Sequence, residues 1–407
     1  MFDLNKIRDD FPMIKNHPDL IYFDSAATAF KPQCVINAVN DYYTNLSVNV
    51  NRGDYELSYM VSKEFDETRE LVKQFLNANS EKEIVFTSGA SASLNLVAYG
   101  YGMKYLKKGD VILSTEAEHA SNILPWFKVA ETTGAEIKYI PLQENGKLDI
   151  ADFEKVMNED VKVVSITWVS NVLGYVLPIK EICKIAHKYG AVVVVDGAQG
   201  VPHLYCDVQD MDCDFLSFSA HKLCGPSGVG VLYGKYELLK EMDALMLGGG
   251  SNARFDICGN ILLKDPPLKF EAGTPCIEGV LGMRAAISYL MDIGMKEIEE
   301  EGKVLSKYFT SKMQELDHIK IYNPDSDAGI MTFNVEGIFA QDVATYLANE
   351  NICVRAGNHC AKILLNVIGA SETVRASLYL YNSKAEIDRF TDLLKDISLE
   401  KCIGALV

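Results

Sequence analysis

Four polar clusters carry residue types that could do covalent chemistry on an amino group. Ser217-Phe218-Ser219-Ala220-His221-Lys222 closes an apolar run with a lysine set beside hydroxyl and imidazole groups. Partial burial lowers an ammonium's pKa, and a neutral lysine condenses with an aldehyde to a Schiff base; a solvated loop lysine fits the same residues. Asp196 ends the apolar run Val192–Val195 and precedes Gly197-Ala198-Gln199. A carboxylate leaving a buried strand needs a partner, either a protonated heterocycle or a helix cap or loop ion pair. Thr87-Ser88-Gly89-Ala90-Ser91 supplies the glycine and small hydroxyls that let backbone N–H groups reach an anion at a helix start, or that simply cap a helix. It is not a dinucleotide fingerprint, because no Gly-x-Gly-x-x-Gly opens this unit. His119, in Thr115-Glu116-Ala117-Glu118-His119, follows another strand candidate and fits a ligand site, the surface or the core. Together, an anion cradle, a carboxylate, an imine-forming lysine and a flat imidazole are the parts that hold pyridoxal 5'-phosphate. The carboxylate keeps the pyridine nitrogen protonated, so that the ring accepts the electron pair left when a Cα proton is removed.

Two further residues stand out. Cys360 lies in Arg355-Ala356-Gly357-Asn358-His359-Cys360, where an adjacent imidazole and a nearby guanidinium would favour the nucleophilic thiolate; an inert loop cysteine is the alternative. Arg375, in Thr373-Val374-Arg375-Ala376-Ser377, is a cation inside a strand candidate. Its anionic partner is either a substrate carboxylate, gripped in two places, or a structural ion pair.

The elements that must position these residues follow from periodicity. From about residue 83 to 235, β-branched runs (Glu83–Phe86, Asp110–Ser114, Glu136–Pro141, Lys162–Thr167, Ala191–Asp196, Asp214–Ser219, Gly228–Tyr233) alternate with helical patterns such as Ser93–Leu106 and Ile179–Tyr189. On the latter, Ile182, Ile185, Ala186 and Tyr189 share one face. This alternation predicts an α/β domain with a mostly parallel sheet, whose ligand site lies outside the carboxyl ends of the strands. Gly248-Gly249-Gly250 and Pro266-Pro267 mark a loop-rich passage. Beyond it come helical sequence from Ile277 to Leu316, strands at Ile330–Val335 and Thr373–Leu380, and helices at Gln341–Asn349 and Lys384–Ile397. The expected organisation is a large cofactor-binding domain over residues 21–285, and a smaller α+β domain formed by residues 1–20 with 286–407.

Composition narrows the function classes. The 407 residues are 48% apolar and 23% charged, which excludes a disordered or coiled-coil chain. Lys plus Arg number 39 against 56 Asp plus Glu, a formal charge of −17. That surface repels phosphate backbones and anionic membranes, so no nucleic-acid or membrane partner is expected. Ten cysteines are scattered without Cys-x-x-Cys, so no metal site is expected. The opening MFDLNKIRDDFPMI lacks the apolar stretch of a signal peptide; a cytoplasmic protein with reduced thiols is the expectation.

These residues resemble the class V, fold-type I pyridoxal-phosphate enzymes, and within them the group II (SufS-type) cysteine desulfurases, relatives of the selenocysteine lyases. The resemblance runs from Ile7-Arg8-Asp9-Asp10-Phe11-Pro12 almost to the end of the chain. It is carried by Tyr22-Phe23-Asp24-Ser25-Ala26-Ala27-Thr28, Asn51-Arg52-Gly53, Val195–Gln199, Ser219–Lys222, Phe270-Glu271-Ala272-Gly273-Thr274-Pro275 and Arg355–Cys360. It implies that Lys222 holds the cofactor as an imine and shuttles the Cα proton, that His119 stacks on the ring, that Asp196 pairs with the ring nitrogen and that Gln199 reaches the phenolic oxygen. Ser91, Ser219 and His221 would bind the phosphate, and Thr274 the phosphate of a second subunit, which implies a homodimer. Asn171 and Arg375, with Arg355 and Arg52, would hold the substrate. Cys360 would take sulfur from L-cysteine as a persulfide, release alanine and hand the sulfur to a SufE-like or other acceptor protein for iron–sulfur or related biosynthesis. Other outcomes of the same resemblance are a selenocysteine lyase, another class V lyase or aminotransferase, or a catalytically weak partner in a sulfur-transfer complex. Asn358 stands where many group II members have a histidine, and Ala361-Lys362-Ile363-Leu364 replaces their usual continuation.

Overall fold

The computed structural model describes residues 2–405. All seven strand candidates between residues 83 and 235 join one sheet, in the order Ile84–Thr87, Gly230–Gly234, Phe215–Ser219, Val192–Asp196, Val161–Thr167, Val111–Thr115, Glu136–Ile140. Gly230–Gly234 is antiparallel to both of its neighbours, and the other pairings are parallel. Val192–Asp196 sits at the centre with every residue buried, as expected of a strand covered by helices on both faces. The register pairs Thr167 with Asp196 and Asp196 with Ser217, so three strands end together.

Helix Ile179–Lys188 buries Ile182, Ile185 and Ala186 against the sheet. Tyr189 does not share that face: the helix has already ended there, and the side chain is exposed. The helical pattern after residue 93 is one run from Ala90 to Tyr105, widened into a π-turn over Ala98–Gly102. Helices Ile277–Ile293 and Met295–Met313 are separated at Gly294, whose φ of 99° suits a residue without a Cβ.

The loop-rich passage holds a hairpin, Asn252–Phe255 against Ile261–Leu263. A second sheet of four antiparallel strands runs in the order Ile319–Ile321, Ile330–Val335, Thr373–Ser377, Arg355–Gly357. Its last strand leads directly into the Cys360 segment. A separate apolar cluster packs on this sheet, and it includes Ile21 and Phe23, whereas Ile7 and Phe11 lie in the core of the larger sheet.

At the amino-terminal edge of the large sheet, away from Lys222, His187 bridges Asp212 (3.2 Å) and Asp214 (2.9 Å), and Lys235 reaches both carboxylates. The hydrogen bond to Asp214 raises the His187 pKa above its ordinary value. A raised histidine stabilises the fold most while protonated in both states, and that contribution fades as pH rises through its folded-state pKa. We therefore expect His187→Ala to lose more urea-unfolding stability at pH 6 than at pH 9; an equal loss at both would show that the imidazolium contributes nothing.

Candidate active site

The carboxyl ends of the central strands open onto a cavity of about 220 Å³. Lys222 enters it from the turn Ala220–Lys222 that follows strand Phe215–Ser219. The preceding carbonyl, that of His221, accepts from Ala29 N (3.0 Å) and Thr28 Oγ1 (3.1 Å), which fixes the turn. Burial, helped by the guanidinium groups of Arg375 and Arg355 and opposed by Asp196, lowers the Lys222 ammonium to about 8. A minority of this amine is then neutral near physiological pH, a far larger share than on a surface lysine, and the neutral form is the one that condenses with an aldehyde.

Asp196 emerges from the central strand, nearly fully buried, and its Oδ1 accepts from Ala198 N at 3.0 Å. Gln199 donates from Nε2 to Ala26 O (2.8 Å), and its buried Oε1 has no partner. His119 caps helix Ala120–Thr133: its Nδ1 accepts from Ser121 N at 3.1 Å. Burial lowers its pKa, so the ring is neutral with its proton on Nε2.

The anion cradle is built by backbone proximity. Gly89 precedes helix Ala90–Val97, and a Cβ on neighbouring Gly230 would lie 2.5 Å from Gly89 Cα, so the strand and the helix start can touch only without side chains. Ser219 Oγ accepts from Ala90 N (2.7 Å), and Ser91 Oγ meets Ser121 Oγ at 2.7 Å. Removing the Ser219 hydroxyl would leave a buried N–H unsatisfied, a cost of about 1–3 kcal/mol. Burial lowers His221 to about 4, so it offers an anion a hydrogen bond, not a charge.

On the opposite wall, Arg355 and Arg375 are directly cross-strand. Like charges so placed repel unless an anion joins them. Asp24 supplies one, at 2.9 Å from Arg375 Nη2, and the Asn171 carbonyl takes Nη1. The choice left open by the sequence thus resolves in part: Arg375 has a structural ion pair, yet its buried Nε has no partner. Asn171 Nδ2 donates to the His359 carbonyl, tying the arginine wall to the Cys360 segment.

Cys360 is exposed beside this wall, with its Sγ 3.9 Å from Arg355 Nη2 and its carbonyl accepting from Ala120 N. The expected imidazole support is absent. His359 is buried, Nε2 bonds Thr373, and burial lowers its pKa to about 3, so it stays uncharged. Arg355 is the cation at the thiol. Besides Cys360 at its rim, two expected residues lie outside the cavity in this chain. Thr274 accepts from Asn49 Nδ2 and borders a separate apolar hollow with Met246 and Phe270. Arg52 is exposed, next to Gly249 and Gly250. Ser121 and Asp24 went unassigned in the sequence reading, although each sits in a quoted or neighbouring motif. No metal-ligating cluster occurs among the described residues.

The donor set fits pyridoxal 5'-phosphate: a lysine for the aldehyde, a buried carboxylate for the ring nitrogen, a helix start with hydroxyls for the phosphate, and orphaned buried atoms on Gln199 and Arg375.

The chain belongs to the aminotransferase class-V family, whose model matches residues 21–390. A Halalkalibacterium halodurans protein named "Probable cysteine desulfurase" is 45% identical, the match covering 94% of this chain and 95% of that one. A Staphylococcus epidermidis protein of the same name is 43% identical, covering 97% and 96%. The crystal structure of the Escherichia coli cysteine desulfurase CsdA, in an S-sulfonic acid form, superposes with a TM-score of 0.92 at 34% identity over the whole of both chains. The apo cysteine desulfurase of Thermococcus onnurineus also gives 0.92, at 38% identity, covering 96% of this chain and 97% of that one.

In the apoprotein, amine-selective labelling read by mass spectrometry should modify Lys222 with a midpoint near pH 8, below that of the surface lysines. A midpoint matching theirs would mean that burial does not act on this amine.

Proposed function

We propose that this chain is a pyridoxal 5'-phosphate-dependent cysteine desulfurase that converts L-cysteine to L-alanine and holds the sulfur as a persulfide on Cys360. The observation that carries the reading is the convergence of Lys222, Asp196 and the Arg355–Arg375 wall in one cavity, with the Cys360 thiol beside it. Relatives bearing the cysteine desulfurase name over nearly the full chain support it.

When bound, the cofactor supplies an electron-accepting ring that stabilises negative charge developing at Cα. In this reading Lys222 Nζ would hold the cofactor aldehyde and move the Cα proton. Asp196 would keep the ring nitrogen protonated, the neutral His119 would pack on the ring, and Gln199 would meet the phenolic oxygen. Ser91, Ser219 and His221 would bind the phosphate. Asn171 and the arginine wall would orient the substrate carboxylate, with Arg375 Nε as the free donor, and Arg52 would contact the substrate from outside the cavity. Cys360 Sγ attacks the substrate sulfur; the substrate's C–S bond breaks, a persulfide forms, and alanine leaves once its carbon regains protons.

The same reading includes a large unit over residues 21–285 beside a smaller one formed by 1–20 with 286–407, with the two exchanging core residues at the boundary: Ile7 and Phe11 pack on the large sheet, Ile21 and Phe23 on the small one. It also includes a homodimer in which Thr274 serves the partner's phosphate, supported by the apolar hollow around that residue. A SufE-like or other acceptor protein would draw sulfur from Cys360 in the cytoplasm for iron–sulfur or related biosynthesis; exposure of the thiol supports that exchange.

The purified protein should be yellow, with borohydride trapping the cofactor on Lys222 and Lys222→Ala abolishing that link. Alanine release from cysteine should fall at least about tenfold in Cys360→Ala, while release from selenocysteine falls less because selenium leaves more readily. Undiminished cysteine turnover without the thiol would refute the persulfide role, and a protein that makes no alanine with reductant and acceptor present would be a non-catalytic partner.

A further inference from the structure

Next to His119 in the chain lies a buried carboxylate to which the chemistry above gives no task. Glu118 is 3% exposed and sits one residue before His119. Its Oε1 receives the Thr115 hydroxyl at 2.6 Å, and its Oε2 receives Asn122 Nδ2 at 2.6 Å. The direction of each bond can be deduced. Trp126 Nε1 is a donor only, so Ser165 Oγ accepts from it at 2.7 Å and must give its own proton to Asn122 Oδ1 at 2.8 Å. The amide of Asn122 is thereby oriented, with its nitrogen toward Glu118. Likewise Thr115 Oγ1 accepts from Ala117 N at 3.1 Å, leaving its proton for Glu118. Both carboxyl oxygens therefore face donors, and a shell of that kind selects the ionised form.

The charged group that faces Glu118 from a neighbouring element is Asp196, and the groups bonded to its side chain are neutral. Two buried carboxylates are thus close enough to repel, one ending the central strand and one adjoining His119 in the chain. Only Asp196 lines the cavity itself. Holding Glu118 as an anion beside Asp196 is unfavourable without a compensating cation.

We propose that Glu118 is a positioning residue for the cofactor site: it fixes the backbone that carries His119 and, with Asp196, supplies the negative field that raises proton affinity at the cofactor ring. The role rests on the pyridoxal phosphate reading of the cavity. Burial and the Asp196 charge oppose the donor shell and bring the Glu118 carboxyl to about 7. The field therefore strengthens as pH rises through neutrality.

The test is Glu118→Gln in the holoenzyme, which removes the charge and nearly keeps the size. The pH midpoint of the visible cofactor band should fall by about one unit, a tenfold loss of proton affinity, and Glu118→Asp should recover part of that shift. An unchanged midpoint in a variant that binds the cofactor overturns the role. A natural protein that binds no pyridoxal phosphate instead overturns the cofactor reading, and the role of Glu118 with it. If the glutamine variant does not fold, Thr115→Val in the holoenzyme decides, because it removes one of the two donors that favour a charged Glu118: a lowered band midpoint supports the role, and an unchanged midpoint overturns it.

Discussion

The register of the three central strands is the constraint on which the site depends. Backbone hydrogen bonds pair Thr167 with Asp196 and Asp196 with Ser217, so the strands end at one level and release their polar residues into the same space. A slip of one residue would turn the Asp196 side chain to the other face of the sheet. The flanking all-apolar runs make such a slip costly, because every residue of Val192–Asp196 is buried. Packing thus does the aiming that catalysis needs.

Charge balance in the cavity follows from that geometry. Lys222, Arg355, Arg375 and Asp196 line the cavity with Asp24 bonded to Arg375 beside them, and each charge shifts the others. The three histidines of the cavity, His119, His221 and His359, are all held toward neutrality by burial. The site therefore concentrates its positive charge on two guanidinium groups that cannot lose it and one amine that can. This division suits a wall that binds carboxylate beside a lysine that trades protons.

Much of this was legible before any coordinates. The central strand announces itself because burial on both faces selects an unbroken apolar, β-branched run, as in Ala191–Val195, whereas the edge strand Glu136–Ile140 shows instead as an alternation of polar and apolar residues. Lys222, Asp196 and His119 stand out because a polar residue at the end of such a run is conspicuous. The hairpin Asn252–Phe255/Ile261–Leu263 was illegible because its side chains pack on no core: Phe255 and Leu262 are exposed, so no period of two is imposed. Strand Arg355–Gly357 hides for a related reason, as a three-residue edge with a glycine and a charge. The direction of the His359 ring depends on Thr373, fourteen residues away, and no local pattern encodes it. Tyr189 failed by one residue, the ordinary uncertainty of a helix end.

The backbone at His359 and Cys360 has φ values of 51° and 57°, a left-handed pair with no glycine. Each such residue costs roughly 1–2 kcal/mol, and here the cost turns one side chain into the protein and its neighbour out of it. The consequence is a division of surroundings: the imidazole is sealed among buried neighbours, while the thiol one residue on stands at the boundary with solvent, open to reagents that never enter the cavity.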